Sequence, residues 1–324
     1  MHAHDLRADR RLEYGNMLKA RGDLGDAVSL YREALALAPQ WAEAHFALAE
    51  ALEALSRHQE ACAHYTNYLR FAETDILGAE IRLALLGGAP VPAVLPEPYV
   101  RTLFDQYADR FDEALVTGLE YRAPFLLRDA VDRVRPSPPG GERVLDLGCG
   151  TGLAGEAFRH RAAWLAGVDL SPGMIGMAAR KAVYDDLREA EAIHALTRRT
   201  MRFDIVVAAD VLVYMGDLAP LFGAVRAALL PDGLFAFSVQ RTDADNFVLG
   251  RECRYSHRPD YIRQVALAAG LTVLALDSAV CRMEAGNAVP GLIGVLQLAG
   301  LVRDDGDVDP APVISDAAAR PRGH

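Results

Sequence analysis

Between Asp146 and Gly152 the chain reads Asp-Leu-Gly-Cys-Gly-Thr-Gly, residue types that suit a backbone passing close to a ligand. Glycines permit positive φ and remove the Cβ that would stand between the main chain and a bound group. Val144–Leu147 begins as a short apolar run of the kind that forms a buried strand, and Leu153–Phe158 reads as a helix start. A plain structural turn is the alternative, and the strand–turn–helix context weighs against it. A second run, Trp164–Leu170, ends in Asp169, about twenty residues past the glycines, where a carboxylate can accept both hydroxyls of a ribose. A third, Phe203–Tyr214, is the clearest buried parallel strand and carries Ala209 and Asp210 at its end.

A dinucleotide fingerprint would need glycine at the position of Leu153. The Asp146-x-Gly148-x-Gly150-x-Gly152 turn instead resembles motif I of class I S-adenosylmethionine-dependent methyltransferases, with Cys149 inside the turn. The resemblance implies that Asp146, Gly148, Cys149, Gly150 and Gly152 cradle S-adenosylmethionine while Asp169 holds its ribose. Leu170 and Met174 would face the adenine, although Met174 is equally suited to the core. Ser171-Pro172 is a good helix start. The third strand is faint; Leu187–Ile193 is the best placement, and the resemblance makes Glu191 the acid for the adenine amine, with a surface charge as the alternative.

The elements that must position these residues occupy 99–302. Apolar Val100, Leu103, Phe104, Tyr107, Ala108, Phe111 and Leu115 share one helical face over Tyr99–Leu119. That stretch resembles the lid helix ahead of motif I, with Tyr107 over the cofactor, or else simply packing. Arg122 is a candidate for the cofactor carboxylate. A helix to about Val134 precedes the first strand, Leu218–Leu230 and Leu234–Val239 read as helix and strand, and Leu271–Leu276 with Leu292–Leu298 form a closing antiparallel pair.

Residues 1–88 are rich in alanine and leucine with helical periodicity. Tyr14-Gly15, Leu18, Gly22, Ala27, Tyr31, Ala34 and Pro39 sit at tetratricopeptide (TPR) offsets. A shift of about 34 residues finds Leu48-Ala49, Leu52, Ser56, Ala61, Tyr65 and Tyr68. This resembles two TPR repeats and a capping helix near Leu77–Leu86. Two are fewer than the three or so that stand alone, so they should lean on the rest of the chain or a second subunit. An ordinary helical hairpin pair remains the alternative. Residues 89–98, with four prolines, predict a semi-stiff linker, and the charged tail 303–324 predicts disorder.

A net charge of −10 argues against nucleic-acid and anionic-membrane partners. The cysteines Cys62, Cys149, Cys253 and Cys281 lie far apart, which suits a reducing compartment and gives no metal-site spacing. The polar start lacks a signal-peptide core, and the apolar run Val289–Val302 is too short to span a bilayer, so a cytoplasmic protein is expected.

The chain as a whole resembles bacterial methyltransferases with N-terminal TPR repeats. The implied architecture is α/β, a Rossmann-like, mostly parallel sheet whose last strand is antiparallel, behind an all-α TPR-like domain. The implied reaction is methyl transfer to an N, O, S or C nucleophile of a small molecule. Neither the Asn/Asp-Pro-Pro-Tyr/Phe motif of nucleic-acid adenine enzymes nor a Pro-Cys nucleophile follows the fourth strand. His257, ahead of a helix over the sheet's carboxyl edge, is the candidate general base, or else a helix-start residue; Tyr214 and Tyr107 would shape the acceptor pocket. Two further readings stay open: a protein methyltransferase whose repeats dock its substrate, and a non-catalytic adaptor. The repeats could equally mediate a homodimer.

Overall fold

The computed structural model describes residues 6–108, 111–112, 121–136, 140–198, 201–284 and 286–299. The expected tail 303–324 and the second half of the expected lid helix lie largely outside them.

Four helices open the chain: α1 (Leu6–Arg21), α2 (Leu24–Leu37), α3 (Ala42–Ala54) and α4 (His58–Phe71). They form two antiparallel hairpins because small residues sit where helices cross. Ala27, Ala34, Ala49 and Ala61 are fully buried. Gly15 is needed for close approach, since a Cβ there would lie 2.6 Å from the Tyr31 ring. Tyr65 and Tyr68 pack edge-on against Phe46. The capping helix α5 (Ala79–Leu85) starts two residues later than expected, where both Asp75 carboxylate oxygens accept amides from Gly78, Ala79 and Glu80.

Residues 89–98 are not a free spacer. Leu95 N donates to Tyr214 O and Gly216 N to Ala93 O, so the proline-rich segment is clipped onto the C-terminal domain. Ile81 and Ala84 of α5 share one apolar cluster with Leu95, Val100, Leu249, Cys253 and Tyr255. The two repeats therefore lean, through α5, on the C-terminal half.

Helix α6 runs Glu97–Tyr107, beginning two residues before the expected start with Pro98 in its first turn, where a missing N–H costs nothing. Helix α7 (Ala123–Val134) leads into β1 (Glu142–Leu147). Then follow α8 (Leu153–Phe158), β2 (Ala162–Asp169), α9 (Pro172–Lys181), β3 (Asp186–Glu189), α10 (Ala192–Thr197) and β4 (Phe203–Ala208). The chain continues through α11 (Ala219–Ala228), β5 (Leu229–Arg241), the short β6 (Phe247–Leu249) and β7 (Tyr255–His257), α12 (Pro259–Ala268), β8 (Leu271–Glu284) and β9 (Asn287–Leu298).

Strands β3-β2-β1-β4-β5 are parallel in that order, and β9 pairs antiparallel with both β5 and β8. Alternate residues feed two cores: Leu145, Leu147, Val206 and Ala208 join α10–α12 on one face, while Val144, Ile205 and Val207 join α7 and α8 on the other. Strand order reverses at β1, which lies between β2 and β4, and ligands of open α/β sheets bind beyond the carboxyl ends at such a point. The hairpin β6–β7, absent from the sequence reading, pairs with β5 at Gln240 and Arg241, beyond the last β4 partner at Phe237. It raises a wall above that edge. The third strand is shorter than expected because Glu191 caps α10.

Candidate active site

The turn after β1 is left-handed at Gly148 (φ 62°), Gly150 (φ 52°) and Gly152 (φ 96°). At Gly148 a Cβ would meet Val211 Cγ2 at 2.4 Å, so only glycine lets this turn nest against the end of β4. Gly150 N donates to Asp169 Oδ2 and Ser171 N to Asp169 Oδ1, each at 2.9 Å. Two amides from different loops thus orient one buried carboxylate and leave its remaining lone pairs for a ligand. Burial raises the pKa of Asp169.

One cleft collects Gly148, Cys149, Gly150, Asp169 and Leu170 with Glu191, Ala209, Asp210 and Tyr214. Its other walls include apolar residues of the expected lid face. Val100 and Phe104 of α6 with Phe111 form a lid, Phe104 packing edge-on against Phe111 and Tyr214. Asp105 of α6 accepts from Ser171 Oγ and from Gly173 N at the start of α9. Thr151 donates to Asp112, which also pairs with Lys181 at 2.9 Å. The lid is therefore tied to the glycine turn and to the start of α9.

At the β4 end, Asp210 takes φ 56° and is locked by Ser238, whose Oγ accepts from Asp210 N and donates to Asp210 Oδ1, both at 2.8 Å. Arg282 of β8, buried, contacts Asp210 Oδ2 at 3.2 Å and Glu284 at 3.4 Å. Arg254, just before β7, also lines the cleft close to the Tyr214 phenol, whose pKa burial raises.

Several expected site residues stand elsewhere. His257 is fully buried behind the wall, its Nε2 donating to Met215 O at 2.9 Å, and burial pushes its pKa down to about 4. It does not line the cleft; it fixes the 215–216 backbone that carries Tyr214, so the general-base assignment is withdrawn. Tyr107 is 48% exposed in the last turn of α6 and does not line the cleft, whose lid contacts are Val100, Phe104 and Phe111. Arg122 is exposed at the start of α7 and off the cleft. Met174 is wholly buried, a core residue. Glu191 borders the cleft, yet its carboxylate accepts from Ile193 N and His194 N, which commits it to capping α10. Asp146 lies beneath the turn rather than on it: Tyr184 donates to its Oδ2 at 2.6 Å, and burial raises its pKa to about 7.

Residues 119–276 match the methyltransferase domain family and residues 15–56 match the TPR repeat family. The chain carries a methyltransferase domain behind a TPR repeat. The domain is 36% identical over 115 residues to a ubiquinone biosynthesis O-methyltransferase of Methylocella silvestris, covering 34% of this chain and 45% of that one. It is 34% identical over 154 residues to a malonyl-[acyl-carrier protein] O-methyltransferase of Methylovorus, covering 44% and 50%. The chain thus spans about half the length of the curated relatives it matches. A magnesium protoporphyrin IX methyltransferase from Synechocystis with bound SAH superposes with a TM-score of 0.49 at 18% identity, covering 63% of this chain and 99% of that one. No described helix is long and apolar enough to cross a membrane.

Proposed function

We propose that the protein transfers the methyl group of S-adenosylmethionine to a nucleophilic atom, oxygen foremost, of a small and largely apolar acceptor. The observation that carries this is the Gly150–Asp169 junction: a carboxylate pre-oriented by two amides, facing a cleft whose first wall is glycine.

The residues fit the group. Asp169 would accept the two ribose hydroxyls; Leu170 and Ala190–Ala192 would flank the adenine; Gly148 and Gly150 would let the methionyl portion approach the main chain. The bound cofactor supplies an electrophilic methyl group. The protein aligns and dehydrates the reactants, and alignment of this kind is worth roughly 7–11 kcal/mol of barrier when the geometry is good. Val100, Phe104 and Phe111 close over the cleft and exclude water. No histidine or lysine is among the described lining residues. We therefore favour acceptors that are already anionic or readily deprotonated, such as phenols and carboxylic acids, in keeping with the O-methyltransferase names of two relatives.

The repeats, on this reading, support the lid. A second hollow lies between Asn16, Lys19, Phe46 and Glu50 of the repeats and Tyr99, Thr102, Leu103 and Gln106 of α6. The same helix turns Val100 and Phe104 toward the cofactor cleft. A groove already faced in cis by the lid helix favours a small acceptor over a docked protein.

The test is transfer of labelled methyl from S-adenosylmethionine to a panel of phenols and carboxylic acids, beside proteins of a cell extract. Label in small acids is the expected result; label in proteins alone would contradict it.

A further inference from the structure

Arg254 is the cation among the described residues that line the cleft, and the structure gives it no counter-ion. Other buried guanidinium groups are paired: Arg161 with Glu142 and Asp132, Arg282 with Asp210 and Glu284. Arg254 has no described carboxylate within ion-pair distance; the phenol of Tyr214 stands beside it, and Asp210 and Glu284 act on it only through longer-range attraction. Around it the cleft offers Val94, Leu95, Val100, Phe104 and Met215. A half-buried charge in apolar surroundings is costly unless an anion meets it, and a guanidinium fork suits the two oxygens of a carboxylate.

Its place in the sheet says whose carboxylate. The nucleoside-facing groups Asp169, Leu170 and Ala190–Ala192 follow β2 and β3, whereas Arg254 leads into β7, which pairs with β5 past the end of β4. Asp210 and Tyr214 lie after β4, between the two groups in strand order. A cofactor stretched from β3 toward β4 would end at Asp210, and Arg254 stands two strands further on, at β7 beyond β5, beside Tyr214 on the acceptor side.

We propose that Arg254 anchors a carboxylate carried by the acceptor, so that the substrates are small apolar acids bound with their acidic end against β7. This rests on the methyltransferase reading above. The Tyr214 phenol, beside the guanidinium, steadies it from one side and leaves the fork for the acid.

The test compares acid and alcohol partners of equal shape, 4-hydroxybenzoate with 4-hydroxybenzyl alcohol and octanoate with octanol. Binding to the full chain loaded with S-adenosylhomocysteine is measured for wild type, Arg254→Met and Arg254→Lys. The wild type should prefer at least one acid by about tenfold, equivalent to about 1.4 kcal/mol. Arg254→Met should abolish the preference and Arg254→Lys should restore part of it. Affinity for S-adenosylhomocysteine and for 5′-methylthioadenosine, which lacks the amino-acid carboxylate, should stay the same in all three proteins. Unchanged nucleotide binding also reports that the variants fold. The proposal is overturned if the wild type favours neither acid, if Arg254→Met keeps the preference, or if Arg254→Met weakens S-adenosylhomocysteine but not 5′-methylthioadenosine, since the guanidinium would then serve the cofactor. A wild type that binds neither nucleotide would bring down the methyltransferase reading instead; the acid–alcohol comparison on the nucleotide-free protein would still decide the role of Arg254.

Discussion

Single residues divide here into those whose type sufficed to place them and those whose surroundings decided. The glycines at 148 and 150 and the acid at 169 were readable because a glycine turn and a strand-ending carboxylate are local patterns, fixed by backbone geometry within a few residues. His257 was not. A histidine near a sheet's carboxyl edge looks like a base, but on a three-residue strand one register step decides whether it faces the cleft or the core. It faces the core, where burial holds its pKa down to about 4. The sign follows from linkage: the unfolded chain, with an ordinary value near 6.5, binds the proton that the folded chain refuses. His257 therefore contributes stability above pH 6.5 that is lost as pH falls toward 4. Chemical unfolding of wild type and His257→Gln should show their stability difference shrinking over that window, by on the order of 3 kcal/mol. A pH-independent difference would contradict the placement. Arg254 and Arg282 escaped notice for a related reason. Each is an isolated charge on a strand or turn more than a hundred residues past Asp146; sheet order alone brings Arg254 to the cleft wall and Arg282 against Asp210.

Element boundaries were legible wherever periodicity was strong, as in α2, α4 and the β1 and β4 runs. The hairpin β6–β7 was not, since its strands have three residues each and no alternating pattern. Helix α6 was found with the right apolar residues but the wrong aromatic on the cleft: Val100 and Phe104 line it, whereas Tyr107, further along the same face, ends the helix half-exposed and outside it. That helix is the joint between halves. Tyr99, on its other face, packs on Gly78, where a Cβ would fall 2.8 Å from the ring and where φ is 80°. Gly78→Ala should strain the backbone by about 1–2 kcal/mol and push Tyr99 outward. If the repeats hold the lid, S-adenosylhomocysteine should bind several-fold more weakly to this variant, although no cofactor atom would reach position 78. Full affinity in calorimetry would show the repeats to be energetically separate from the cleft.

Over the whole molecule, the expected architecture of repeats followed by a mostly parallel sheet holds, with β9 antiparallel beside β5. What a linear reading of the chain missed is how closely the halves join. The proline segment adds a bridge at Val94–Met215, Tyr255 donates to Pro92 O, and α5 contributes Ile81 and Ala84 to an apolar cluster with the hairpin wall. Prolines suggest a spacer by their stiffness, yet the same stiffness suits a strap whose carbonyls are taken by a neighbouring domain. A lid hung between two such units has a defined resting place over the glycine-walled cleft, and on that cleft every functional statement depends. Calorimetric titration of the full chain and of Asp169→Ala with S-adenosylhomocysteine tests it most directly. Micromolar binding by the wild type and a loss of at least about tenfold, roughly 1.4 kcal/mol, in the variant are predicted. No binding by the wild type, or equal affinity in both proteins, would contradict the account.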